Sequence, residues 1–73
     1  MAHISTYYAD DGNGYAEVHK NLEENLGFIR YFDDRGLAFY LEEYPGKSIR
    51  YVEDAAENWA LGIKKLEAGL LLG

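Results

Sequence analysis

Residues 52–66 read VEDAAENWALGIKKL, and the spacing of their apolar side chains decides the fold. Val52, Ala55, Ala56, Trp59, Ile63 and Leu66 recur in steps of three and four, the repeat of an α-helix with one apolar stripe. Glu53 and Asp54 are expected in its first turn and Lys64 and Lys65 near its end, where the helix dipole favours each charge. Gly69 is placed to end the helix as a left-handed residue. Gly62 inside it costs about 1 kcal/mol relative to alanine, which predicts another element passing close to the backbone there. A single stripe has to be buried against something, and the preceding residues supply a sheet.

Working back from the helix, Pro45-Gly46 breaks an extended run, LAFYLEEY at 37–44. Its alternation sets Leu37, Phe39 and Leu41 on one face and Ala38, Tyr40, Glu42 and Tyr44 on the other. The turn Asp33-Asp34-Arg35-Gly36 separates it from FIRYF at 28–32. Within an ideal strand Phe28, Arg30 and Phe32 share one side and Ile29 and Tyr31 the other; which side is covered stays open. NLEENLG at 21–27 is either a loop, a wide hairpin connection or a single helical turn. Before it, HISTYYA at 3–9 and YAEVHK at 15–20 read as strands joined by Asp10-Asp11-Gly12-Asn13-Gly14, the strongest turn signal in the chain. Short connections make the sheet antiparallel. Three to four antiparallel strands followed by one C-terminal helix on one face is an α+β fold. Its expected core is Ile4, Val18, Ile29, Leu37, Phe39 and Leu41 around Trp59. One domain over 1–68 is expected, with 69–73 a short tail that folds back, stays loose or serves as a docking peptide.

Composition narrows the function classes. A chain of 73 residues holds one core and buries only about 60% of its unfolded surface. Thirteen acidic and seven basic residues leave a net charge of −6, which repels phosphate backbones and argues against direct nucleic-acid binding. The same charge suits a partner with a basic groove, such as a nucleic-acid-handling enzyme. Cysteine is absent, so there is neither disulfide nor thiolate metal site, and the expected setting is a reducing cytoplasm. The first residues lack the basic flank and apolar core of a signal peptide, and no apolar run reaches the roughly 20 residues a membrane span needs.

Candidate chemistry is sparse. His3 and His19 fall on the two strands of the first hairpin as possible cross-strand neighbours, and Glu17 or Asp10 would have to supply a third metal ligand. The hydroxyls other than tyrosine are Ser5, Thr6 and Ser48, with no visible acid or oxyanion pocket to complete a triad. DDGNGYAE lacks the ligand spacing of a calcium loop, and no helix follows Gly12-x-Gly14 to bind phosphate. No cofactor, metal or catalytic residue is therefore expected, and the protein is expected not to be an enzyme.

What exceeds background is tyrosine, with seven in the chain. If the helix covers one face of the sheet, Tyr7, Tyr15, Tyr40 and Tyr44 are expected on the other, with Arg30 and either Phe28 or Phe32. Tyrosine, phenylalanine and arginine give large contact area at modest entropy cost and are enriched at protein interfaces. Tyr7, Tyr15, Arg30, Tyr40 and Tyr44 are the expected partner-binding residues.

The segment RYVEDAAENWALGI at 50–63, with YFDDRG and EEYPGKS before it, resembles small uncharacterised proteins of phage genomes, notably those of cyanophages. In these a short β-meander precedes a helix of the form EDAAENWxxGI. The resemblance covers about the second half of the chain, implies a fold and a viral setting, and lends no catalytic residue. In size and acidity the chain is also similar in type to short phage regulators that bind host RNA polymerase and to anti-CRISPR inhibitors. The expected function is stoichiometric binding to a host protein of the transcription or defence machinery. The alternative is a small assembly protein forming a homodimer through its aromatic sheet face.

Overall fold

The computed structural model describes residues 2–66. Four strands, β1 (Ala2–Tyr8), β2 (Tyr15–Asn21), β3 (Leu26–Phe32) and β4 (Ala38–Tyr44), run as an antiparallel meander in the order β1-β2-β3-β4, followed by α1 (Ile49–Ala60). The α+β architecture with one helix on one sheet face is as the sequence predicts. The first turn is closed by Ala9 and Gly14, whose backbones bond at 3.0 Å. The third is closed by Asp33, whose Oδ1 accepts from the backbone N–H of Leu37 and of Arg35, each at 2.9 Å. Those N–H donors hold the Asp33 carboxyl below the usual aspartate range. The 21–27 connection proves to be a tight hairpin: residues 22–25 turn, Asn25 adopts φ +52°, and Asn21 Oδ1 accepts from the N–H of Glu23 and Glu24.

The helix is displaced toward the N-terminus from the expected 52–66. Ser48 is its N-cap, extended at φ −69° and ψ 159°, with Oγ accepting from the Tyr51 N–H at 3.2 Å. Gly62 is its stop and not an interior residue. At φ +82° it lets its own N–H reach the Trp59 carbonyl at 3.0 Å while the Ile63 N–H reaches Asn58 at 2.9 Å, the paired bonds of a Schellman cap. A side chain at Gly62 would meet nothing within 4 Å, so the inferred close approach is absent there. Glu53 and Asp54 therefore lie past the first turn and Lys64 and Lys65 beyond the last, and the expected dipole pairing is not made. Gly69 and the tail at 69–73 lie outside the described residues.

The close approach occurs at Gly27. A Cβ there would sit 3.0 Å from Val52 Cγ2 and 3.4 Å from Ile49 Cδ1, so the glycine lets α1 settle onto β3. The helix lies mainly over β2, leaning on β1 and β3. Between helix and sheet, Val52 and Ala56 of α1 and Ala16, Val18, Ile29, Tyr31 and Tyr40 of the strands form the core, with Phe39, Trp59 and Leu66 partly buried against it. Val18 and Ile29 are core as expected, and Phe39 joins its margin. Ile4 and Leu37 are instead 42% and 58% exposed, and Ile63 is 70% exposed because it follows the cap. Leu41 pairs with Arg30 and belongs to the uncovered side. The reversal on β4 has a polar cause. Its covered side chains Tyr40, Glu42 and Tyr44 oppose Tyr31, Ile29 and Gly27, and a partner for the Glu42 carboxylate comes from Lys64.

Candidate binding face

Because α1 covers one face, the residues of opposite parity make the other, and the strand register arranges them in three rows. One row joins His3, His19 and Phe28 across β1, β2 and β3. The rings of His3 and His19 stack at 4.9 Å, and His19 stacks on Phe28 at 5.4 Å with 12° between planes. A second row joins Tyr8, Tyr15 and Phe32, with Tyr15 stacked on Phe32 at 4.7 Å. Between them runs a polar row in which Thr6 opposes Glu17, Glu17 opposes Arg30 and Arg30 opposes Leu41. Arg30 places its guanidinium 5.9 Å from the Phe32 ring centre, a cation–π contact that ties the polar row to the aromatic one.

No element of the described residues lies over this face, and its rings shield one another. His19 is only 8% exposed, held between His3 and Phe28 with Nε2 against Glu17 Oε1 at 2.9 Å. Its Nδ1 is buried with no hydrogen-bond partner, a local cost of about 1–3 kcal/mol. His3 Nε2 lies 2.8 Å from Thr6 Oγ1, and Ser5 is engaged on the opposite face, donating to Glu53 Oε2 at 2.9 Å. The two imidazoles are therefore cross-strand neighbours as expected, but they stack instead of converging. Among the described residues no group of three His, Cys, Asp or Glu is arranged to hold a metal ion.

Of the five expected partner-binding residues, Tyr15 and Arg30 lie together on the uncovered face. Tyr7 and Tyr44 are on the helix side, packed against the core, and Tyr40 is 4% exposed within it. The expected aromatic face thus exists with different members: His3, Tyr8, His19, Phe28, Phe32 and Leu41 join Tyr15 and Arg30. Gly27 was the available signal. A glycine inside a strand marks a backbone that something approaches, and Ile29 and Tyr31 share its parity, so Phe28, Arg30 and Phe32 had to face away.

The covered tyrosines serve a polar cluster beside α1. Tyr31 and Tyr44 both donate to Glu42 Oε1, Tyr31 at 2.9 Å, and Lys64 Nζ donates to the same oxygen and to the Tyr44 hydroxyl at 2.6 Å. Burial raises the Tyr31 and Tyr44 hydroxyls well above the ordinary tyrosine value, and the Glu42 charge adds to it. For Glu42 burial acts upward, but the bonds from Lys64, Tyr44 and Tyr31 outweigh it and leave the carboxyl below its usual value. This cluster fastens the post-helix segment to β4. No helix among the described residues is long and apolar enough to cross a membrane. Comparison of the chain with protein-family models, with curated proteins and with solved structures finds no match.

Proposed function

We propose that this chain is a non-enzymatic protein-binding module that acts stoichiometrically, docking the uncovered face of its sheet on a basic surface of a host protein. The observation that supports it is the aromatic face itself: two rows of stacked rings with Arg30 between them, left without a covering element among residues 2–66. Rigid rings already stacked in place lose little entropy on docking, which is the economy of an interface. The net charge of −6 favours a basic partner and speeds the encounter. A transcription or defence enzyme with a nucleic-acid groove offers such a surface, and the phage-like segment at 50–63 is the reason to look in a bacterial host. Catalysis gains no support from His3, whose Nε2 is engaged by Thr6 and the Ser5 carbonyl without an acid behind it.

A second reading, a homodimer through the same face, is favoured by β1. This edge strand carries no acidic or basic side chain other than His3, whereas the β4 edge carries Glu42 and Glu43. Light scattering after size exclusion, at low and high salt, separates the two. The binding-module reading expects a monomer at both, and a dimer that persists at high salt replaces it with the assembly reading. Capture from host lysate then tests the face: Tyr15→Asp should abolish capture, and Arg50→Glu on the exposed side of α1 should not. Equal capture by both variants would move the binding site off the sheet.

A further inference from the structure

We infer that the groove at the β2–β3 end of the uncovered face seats one large apolar side chain of the partner, flanked by a lysine or arginine. The inference rests on the binding-face reading above and states what that face recognises. The groove has a volume of about 390 Å³, and Leu26, Phe28, Arg30, Leu41, Glu24 and Glu43 line it. That volume is at the low end for ligand clefts, about 300–1,000 Å³, and admits one large side chain with room for part of its neighbour. Its apolar part is Leu26, Phe28 and Leu41, side chains that two adjacent strands set on one face.

The charges around that apolar part are unequal. Glu43 stands opposite Phe28 on β4, and Glu24 rises from the β2–β3 turn, whose backbone is pinned by Asn21. Neither carboxylate has a hydrogen-bond or ion-pair partner among the described residues. The cation that borders the groove, Arg30, is engaged with the Phe32 ring in the next row. An apolar seat with two unpaired carboxylates at one end and an occupied arginine at the other is complementary to an apolar residue whose basic neighbour points toward Glu24 and Glu43. Two further grooves among the described residues differ in this respect. One contains the closed Glu42–Lys64 pair, and the other sets Lys64 and Lys65 against Asp10 and Asp11.

The test is selection of a random peptide display library on the immobilised full chain, followed by NMR titration of one selected synthetic peptide. The expected sequences pair a large apolar residue with a nearby lysine or arginine. The peptide should shift the amides of Phe28, Leu41 and Glu43, and should bind the Glu24→Gln, Glu43→Gln double variant about ten-fold more weakly, the scale for losing two surface charge pairs. Both substitutions are at exposed positions, and circular dichroism checks that the fold is kept. Selection of acidic or uncharged peptides, binding unchanged in the double variant, shifts confined to the helix side, or no enrichment at all would each overturn the inference. If the groove fails in this way while lysate capture still depends on Tyr15, the binding-face reading stands alone. Loss of both falls on the face itself.

Discussion

The two faces of this sheet are built from similar residues and held by different means. The covered face carries Tyr31, Tyr40 and Tyr44, and the uncovered one Tyr8, Tyr15, Phe28 and Phe32. Under α1 the Tyr31 ring is fully buried, meets Trp59 edge-on at 5.0 Å and spends its hydroxyl on Glu42. Across the sheet Tyr8 is 72% exposed, and its neighbours are buried chiefly by one another. An aromatic strand residue is therefore not an interface residue by type. Its role depends on whether a helix or only another ring removes it from water. On the covered face tyrosine is core with a polar tip.

Truncating one ring on each face should separate them most sharply. Tyr31→Ala removes a fully buried ring at the centre of the core. The loss should be about 3–5 kcal/mol, comparable with the roughly 4–11 kcal/mol expected for a whole domain of this size. Tyr15→Ala should cost less, about 1–2 kcal/mol, because this partly exposed ring is covered only by its neighbours Tyr8 and Phe32. Urea midpoints measure both. Equal losses would mean that the uncovered rings are core in their own right and that the contrast is false.

The next largest effect is expected where helix and sheet are closest. Gly27→Val inserts side-chain atoms where even a Cβ already stands 3.0 Å from Val52 Cγ2. Overpacking of this kind costs about 1–3 kcal/mol, and the damage should be confined to one side. Amides of α1 should exchange faster while the Tyr15 and Phe32 ring signals keep their shifts. A Gly27→Val protein as stable as the parent would show that α1 can ride higher on the sheet without loss.

These contacts also mark where sequence reasoning runs out. The strands, the turns at 10–14 and 33–36 and the presence of one amphipathic helix follow from local signals: period, glycine and proline positions, and β-branched or aromatic runs. Period two holds over 40–44 but fails at Phe39, where the ladder slips. Ala38 opposes Phe32 on the uncovered face while Tyr40 opposes Tyr31 on the covered one, and the period does not say which face meets the helix. The apolarity of Leu37 and Leu41 pointed to the wrong one, while Phe39, at the slip in the ladder, does pack against the core. Glu42 made the true inner face look like an outer one, and its charge is met by Lys64, 22 residues later, together with the Tyr31 and Tyr44 hydroxyls. Gly62 misled in the same way, since a glycine ten positions after Val52 reads equally as a weak interior residue or as a stop. For the site, the phase error moved Tyr40 and Tyr44 onto the wrong face and left Tyr15 and Arg30 correctly placed. The stacked histidines were visible as neighbours, but stacking and burial depend on Phe28, whose side was undecided without Gly27.

The smallest effect is a pH dependence that belongs to the covered face. Lys64, Tyr44 and Tyr31 hold the Glu42 carboxyl below its ordinary value of about 4.5 against the opposing effect of burial. A carboxyl lowered by folding adds stability above its unfolded value and loses it as pH falls through the folded one. The gap between the parent and Glu42→Gln should therefore be widest near neutrality and should shrink below about pH 4.5. Because Glu42 and Lys64 are each about a quarter exposed, water screens the pair, and the gap should be only about 1 kcal/mol at its widest. At the alkaline end the sign reverses. The Tyr31 and Tyr44 hydroxyls are raised above 10.0, so their contribution is complete below that pH and is lost as pH climbs past it. Tyr44→Phe should flatten that alkaline loss, since phenylalanine has no proton to give up. A gap between parent and Glu42→Gln that stays constant from neutrality to about pH 3 would mean that the carboxylate is not bonded as described. Glu42 and its neighbours would then contribute only their packing to the covered face.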